Sequence, residues 1–138
     1  MNYVWNYGQA NYLMQTGNYP YKAVKGTCQY KGQGLFKVGS YSGVQAGSLA
    51  AHKTAIAAGP ISVAVDASGT FGHYTGGILN SCGTSVNHGI IAVGYTSDYY
   101  IIKNSWGTGW GESGFARIKI TGDGDGMCMI QRGSLKLN

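Results

Sequence analysis

The sequence predicts an α+β domain in which a short helical segment precedes a strongly curved antiparallel sheet, a partial β-barrel. Three observations point there. Apolar residues alternate over 61–65 and recur in β-branched or aromatic runs over 88–95, 99–104 and 114–120. These runs follow one another so closely that neighbouring strands should pair antiparallel. Twenty-four glycines, 43% apolar content and 11% charge suit a loop-rich, strand-rich globule and not a disordered chain.

The elements follow in order. Residues 2–16 carry Tyr3, Val4, Tyr7, Ala10, Leu13 and Met14 at helical spacing, with Gly8 as a break and Gly17 as a stop. Tyr19-Pro20-Tyr21 turns the chain into an extended segment. Lys25-Gly26-Thr27-Cys28 and Lys31-Gly32-Gln33-Gly34 read as loops, and Leu35 to Val44 as a strand. Ser48 is a good N-cap for a helix over Leu49–Ala58, ended by Gly59-Pro60. Ile61, Val63 and Val65 share one face of a strand. His88–Tyr95 and Tyr99–Asn104 form a hairpin across Thr96-Ser97-Asp98, Gly114–Ile120 a further strand, and Ser134–Leu137 a short last one.

Length and charge bound the function classes. At 138 residues the chain is one domain or a large piece of one, with no repeat, linker or second domain in view. The net charge of +5 is spread over single lysines from Lys22 to Lys136, which speaks against a nucleic-acid partner. No apolar stretch approaches the roughly 20 residues of a membrane span. Met1-Asn2-Tyr3 begins no signal peptide, so an export signal has been removed or the chain has been cut. Three cysteines admit two readings: one bridge plus a partnerless thiol in a secreted protein, or three free thiols in a cytosolic one. Their spacing does not suit zinc, and no cofactor or metal is expected. Asp123-Gly124-Asp125-Gly126 starts like a calcium loop, but Ser134 stands where that loop needs its Glu, so it reads as a turn.

The chemistry concentrates in two places. Asn87-His88-Gly89 opens an apolar run, and Asn104-Ser105-Trp106-Gly107 with Trp110-Gly111-Glu112 closes the next. A turn near Ser97 brings His88 within cross-strand reach of Asn104, whose side chain can fix the imidazole tautomer. A base oriented by a third group suits nucleophilic catalysis; a hydrogen-bonded structural histidine is the plainer reading. Trp106 and Trp110 either shield that pair or fill a core. His52, on the 49–58 helix, is expected to face solvent, His73 to lie at the surface, and Glu112 to cap or pair locally.

Taken together, His88-Gly89, Gly94-Tyr95, Lys103-Asn104-Ser105-Trp106-Gly107, Trp110-Gly111-Glu112 and Gly114-Phe115 resemble the papain-like cysteine peptidases, which include the plant papains and the L-type cathepsins. Tyr19-Pro20-Tyr21 with Cys28, Gly59-Pro60-Ile61-Ser62-Val63, Tyr74-Thr75-Gly76-Gly77-Ile78 and Gly126-Met127-Cys128 extend the likeness along the chain. The resemblance implies a papain-like fold, with 1–30 a remnant of the helical domain and 31–138 the β-barrel-like domain. It implies His88 as catalytic base and acid, Asn104 as its orienter and Trp106 as the indole covering them. Asn87 stands at a variable position beside the base. Val86, Ala64, Gly89 and Gly133 match the lining of the pocket for the substrate's P2 side chain, here roomy and apolar. Cys82 matches a cysteine that pairs with Cys128.

The chain also departs from the family pattern. The family's nucleophilic Cys lies roughly 130 residues or more before its His, about 40 residues ahead of Met1 here. The oxyanion Gln and the partner of Cys28 lie ahead of Met1 as well. Cys28 has no helix N-terminus to acidify it, and Cys82 is expected in a bridge, so neither replaces the nucleophile. The expectation is therefore the His/Asn half of an endopeptidase that works through an acyl-thioester, inactive alone. The alternative is a truncated, non-catalytic papain-like module. Implied partners are a peptide substrate, the missing N-terminal half and a second copy through self-association. No membrane is implied, and the location is lysosomal, vacuolar or extracellular.

Overall fold

The computed structural model describes residues 1–30, Gly32 and residues 34–138, so the loop expected over 31–34 lies partly, at Lys31 and Gln33, outside the described residues. The chain separates into two compact units, Met1–Tyr41 with Leu137–Asn138 and Ser42–Lys136.

In the first unit, helix α1 covers Asn2–Ala10 and stops earlier than its apolar spacing predicts. Asn11 ends it: the residue is extended, and both its backbone N–H and its side-chain amide donate to the Tyr7 carbonyl. Asn competes in this way with helical continuation. Leu13 then leaves helical geometry to bridge Phe36, so the strand expected over 35–44 shrinks to that bridge and to β1, Tyr41–Gly43. Gly8 is the buried position of α1, its Cα hydrogen facing Val38, whose methyl lies 2.7 Å from where a Cβ would stand. Tyr3 and Val4 remain 89% and 70% exposed, so the apolar face of α1 is uncovered.

The second unit holds the sheet. Helix α2, Leu49–Ala58, starts where Ser48 Oγ accepts the Ala51 N–H and Asp123 Oδ1 accepts the Leu49 N–H. After Gly59-Pro60 come β2, Ile61–Val65, β3, Ile78–Leu79, β4, His88–Tyr95, β5, Tyr99–Lys103, β6, Phe115–Lys119, and β7, Ser134–Leu137, with a 3-10 turn at Met127–Met129 before the last strand. Among the described residues these strands form one sheet in the order β1-β7-β2-β4-β5-β6-β3. The sheet is open: its edge strands β1 and β3 do not pair, so the partial barrel predicted from sequence is present as a seven-stranded sheet that does not close. The pairing is also not antiparallel throughout, because β3 runs parallel to β6, with Ile78 beside Arg117. Two residues reached through a long loop give no alternation that could announce that strand.

Period-two alternation decides which face is buried. Val63, Ile90, Ala92, Tyr100, Ile102, Ala116 and Ile118 fill the core, with Ala55 and Ile56 of α2 packed on it. One residue overturns its expectation. His52 is 1% exposed, because its Nδ1–H donates to the Ser48 carbonyl while Nε2 meets Ser134 Oγ, a partner 82 residues away. A solvent-facing histidine would have needed neither. Burial holds this imidazole below its ordinary value of 6.5, against the opposing pull of the Ser48 carbonyl.

The folded chain therefore binds fewer protons at His52 than the unfolded chain does just below pH 6.5. Stability from neutral His52 is complete above that pH and is lost as pH falls through the folded value. Between about pH 7 and 5 the urea midpoint of the wild type should fall more steeply than that of His52→Met. Parallel curves would contradict this account of His52.

Candidate active site

Two strand ends build the site. His88 is the first residue of β4, and Asn104 directly follows β5. The β4–β5 register pairs Ile91 with Lys103, which carries His88 just past the strand end, beside the loop that begins at Asn104. Asn104 is tied down by its own N–H to the Gly114 carbonyl at 2.9 Å. The loop between them turns back on itself through glycines. Gly111 has φ +57, and a Cβ there would lie 2.5 Å from the Phe115 carbonyl oxygen, so no other residue fits.

The hydrogen bonds fix the imidazole. Asn104 Oδ1 accepts the Ser105 backbone N–H at 2.8 Å and lies 2.9 Å from His88 Nε2. A backbone N–H can only donate, so the shared atom is oxygen, and His88 Nε2 must donate to it. Nε2 thus carries a proton, and Nδ1 is the nitrogen left for chemistry; among the described residues it makes no hydrogen bond. Asn104 is 8% exposed, and its Nδ2 has no partner among the described residues. The Trp106 indole stacks on the His88 ring at 4.9 Å and 28°, while remaining 43% exposed itself. It covers one face of the imidazole. Trp110 has a different part: its Nε1–H donates to the Gly72 carbonyl, and it packs against the core.

Two further residues were not singled out from the sequence. Phe71 is fully buried at the centre of an aromatic cluster, 5.2 Å from Trp110, 5.9 Å from Trp106 and 6.3 Å from His88. Asp66 directly follows β2, and its buried carboxylate faces the loop that leads into His88. Neither residue sits in a local pattern that marks it; only the tertiary contacts do.

The structure disposes the other predicted residues in two sets. Asn87 lies directly before His88, its N–H donating to the Val65 carbonyl and its Oδ1 accepting the Ala67 N–H at 2.9 Å. Gly89 stands directly opposite Ala64, and the β2–β7 register, extended by one residue, brings Gly133 to the other side of Ala64. This row of small residues occupies the sheet face opposite the core residues Val63 and Ile90. Val86 is exposed two residues before His88. Cys82 and Cys128 are bonded to each other, anchoring the 82–87 loop to the 3-10 turn. Cys28 is free and exposed and belongs to the first unit, so the unit that holds His88 contains no free thiol.

Other charged groups are engaged locally. Glu112 forms an ion pair with Arg117 and accepts the Gly77 N–H; its carboxyl is held below the usual range first by the Arg117 hydrogen bond. Asp123 serves the N-terminus of α2. Among the described residues no group of three or more His, Cys, Asp or Glu side chains is placed to hold a metal ion. No described helix is long and apolar enough to cross a membrane.

Comparison with known proteins places this arrangement. The family model described as papain family cysteine protease matches residues 1–136. The chain is 44% identical over 124 residues to the senescence-specific cysteine protease SAG39 of Oryza sativa subsp. indica, covering 84% of this chain and 37% of that protein. It is 40% identical over 120 residues to ananain of Ananas comosus, covering 81% of this chain and 35% of the relative. The chain therefore spans well under half the length of these curated relatives. Among solved structures, the Carica candamarcensis cysteine protease CMS1MS2 in complex with E-64 superposes at TM-score 0.92 and 38% identity, over 99% of this chain and 66% of that one. The bromelain protease of Ananas comosus in complex with E64 superposes at 0.89 and 34%, over 98% and 67%. A histidine and an asparagine joined at two strand ends under a tryptophan, on this sheet and with these relatives, make the chain a member of the papain family of cysteine proteases.

Proposed function

We infer that these 138 residues supply the base half of a cysteine endopeptidase, and that the thiolate comes from outside them. The observation that carries this reading is the Nε2–H bond from His88 to Asn104, which leaves Nδ1 as the nitrogen free to react. In the assembled site a thiolate pairs with the protonated imidazole and attacks the scissile carbonyl carbon. The tetrahedral intermediate collapses as Nδ1–H protonates the leaving amine, which leaves an acyl-thioester. Neutral Nδ1 then takes a proton from water, whose oxygen attacks the thioester. The acid product leaves, and the thiolate–imidazolium pair returns. Through both steps Asn104 holds the ring while its charge alternates, and Trp106 covers one face of it.

The substrate in this reading is a peptide. Its P2 side chain lies over the row of Gly89, Ala64 and Gly133, with Val86 as a wall and Asn87 at the rim. The absence of side-chain bulk along that row supports a roomy apolar subsite. The first residues, 1–30, belong in this proposal to a helical domain and residues 31–138 to the β-rich one. The disulfide supports an oxidising location, lysosomal, vacuolar or extracellular. A second reading, a non-catalytic papain-like module, is favoured by one observation: both cysteines of the second unit are bonded to each other.

Adding the family's thiol-bearing segment to the chain and assaying a dipeptidyl fluorogenic substrate separates the two readings. Turnover that falls about 10²–10⁴-fold in His88→Ala supports the first. No turnover under any complementation supports the second, and full activity in His88→Ala overturns the assignment of the base.

The exposed apolar side chains of the first unit, Tyr3 and Val4 among them, also lead us to propose that the isolated chain self-associates. Sedimentation should show dimers or larger species at high concentration, dispersing when the thiol-bearing segment is supplied. A monomer throughout would rule this out.

A further inference from the structure

We propose that Asp66 is a positioning residue for His88: its buried carboxylate sets the path of the 82–87 loop, so that the base enters its strand at the place where Asn104 can hold it. The proposal rests on the reading of His88 as the base.

Asp66 is 1% exposed, yet among the described residues no cation pairs with it. Its partners are neutral donors on two segments. Oδ2 accepts the Ser85 backbone N–H at 2.7 Å. Oδ1 accepts the Ser68 backbone N–H at 2.9 Å and the Ser68 hydroxyl. The Ser85 contact falls three residues before His88, on the chain that leads into it. Asp66 is itself fixed, since its N–H donates to the carbonyl of Cys128, the disulfide partner of Cys82.

The loop is fitted tightly to the carboxylate. A Cβ at Gly83 would lie 2.2 Å from Asp66 Oδ2, inside any tolerable contact. Gly83 is therefore what lets the loop descend far enough for Ser85 to reach the same oxygen. Asn87 completes the join from the other side, its N–H to Val65 and its Oδ1 to Ala67. The ring of His88 is clamped by Asn104 and Trp106, and its backbone is clamped through Asp66. Both clamps are needed to hold a base in reacting geometry, since a displacement of 1 Å costs on the order of 10²-fold in rate.

The Ser68 hydroxyl foremost, then the Ser85 and Ser68 backbone N–H groups, hold the Asp66 carboxyl below its ordinary value of 3.8. This folded-state lowering leaves the carboxylate, and the stability it lends, intact above the ordinary value; both are lost only as pH falls through the lower folded one. An acidic compartment therefore leaves the clamp charged.

Asp66→Asn is the direct test, because it replaces one acceptor oxygen by an NH2 and sets donor against donor at Ser85 or Ser68. Gly83→Ala tests the same contact from the loop side with the charge intact, and serves if Asp66→Asn does not fold. In the 138-residue chain the Ser85 amide should be protected from hydrogen exchange in wild type and lose protection in both variants. In the thiol-complemented enzyme kcat should fall on the order of 10–100-fold in each, more than KM rises, and the double variant should lose little more than either single one. Unchanged Ser85 protection, or lost protection with unchanged kcat, overturns the role of Asp66. Activity that survives His88→Ala overturns the reading of the base instead, whatever Asp66→Asn does.

Discussion

One oxygen organises this site. Asn104 Oδ1 accepts from the Ser105 N–H and from His88 Nε2, and because the first donor is main chain, the second must carry a proton. That single requirement selects the imidazole tautomer, the direction in which its lone pair points and the ring plane against which Trp106 stacks. The rest of the second unit brings these two side chains to within 2.9 Å and keeps them there.

Holding a histidine and an asparagine from two strand ends is a problem of chain path more than of contact energy. Ile90, Ala92, Tyr100 and Ile102 lock β4 against β5, but the lock ends where the site begins. Beyond it, backbone hydrogen bonds and glycines take over: Asn104 is fixed to Gly114, and Gly111 folds the loop under Phe115. On the other strand the approach to His88 passes over Asp66 and is anchored by the disulfide. Phe71 fills the space between the two approaches. The His88–Asn104 pair is thus held from both strand ends.

Much of this was readable from residues alone, and the limits are physical. The helix at Leu49–Ala58 and the strands at Ile61–Val65, His88–Tyr95 and Ser134–Leu137 were legible because a cap, a stop and a two-residue alternation are local signals. The early end of α1 was not, because helical spacing continues past Asn11 while the backbone is claimed by the Leu13–Phe36 bridge. His52 misled for a similar reason: its partner Ser134 lies 82 residues on, and no window around a helix contains it. His88, Asn104 and Trp106 stood out through their cluster and the short hairpin between them. Asp66 and Phe71 act through contacts between loops distant in sequence, and nothing near them announces it.

The central claim is the protonation geometry of His88, and it can be read in this chain without any turnover. Long-range nitrogen–proton NMR of the imidazole, at a pH where the ring is neutral, reports which nitrogen carries the proton. The account predicts a protonated Nε2 and a bare Nδ1, with the Nε2 proton exchanging slowly under Trp106 and that pattern lost in Asn104→Ala. A proton on Nδ1, or a rapid mixture of both tautomers in the wild type, would contradict it.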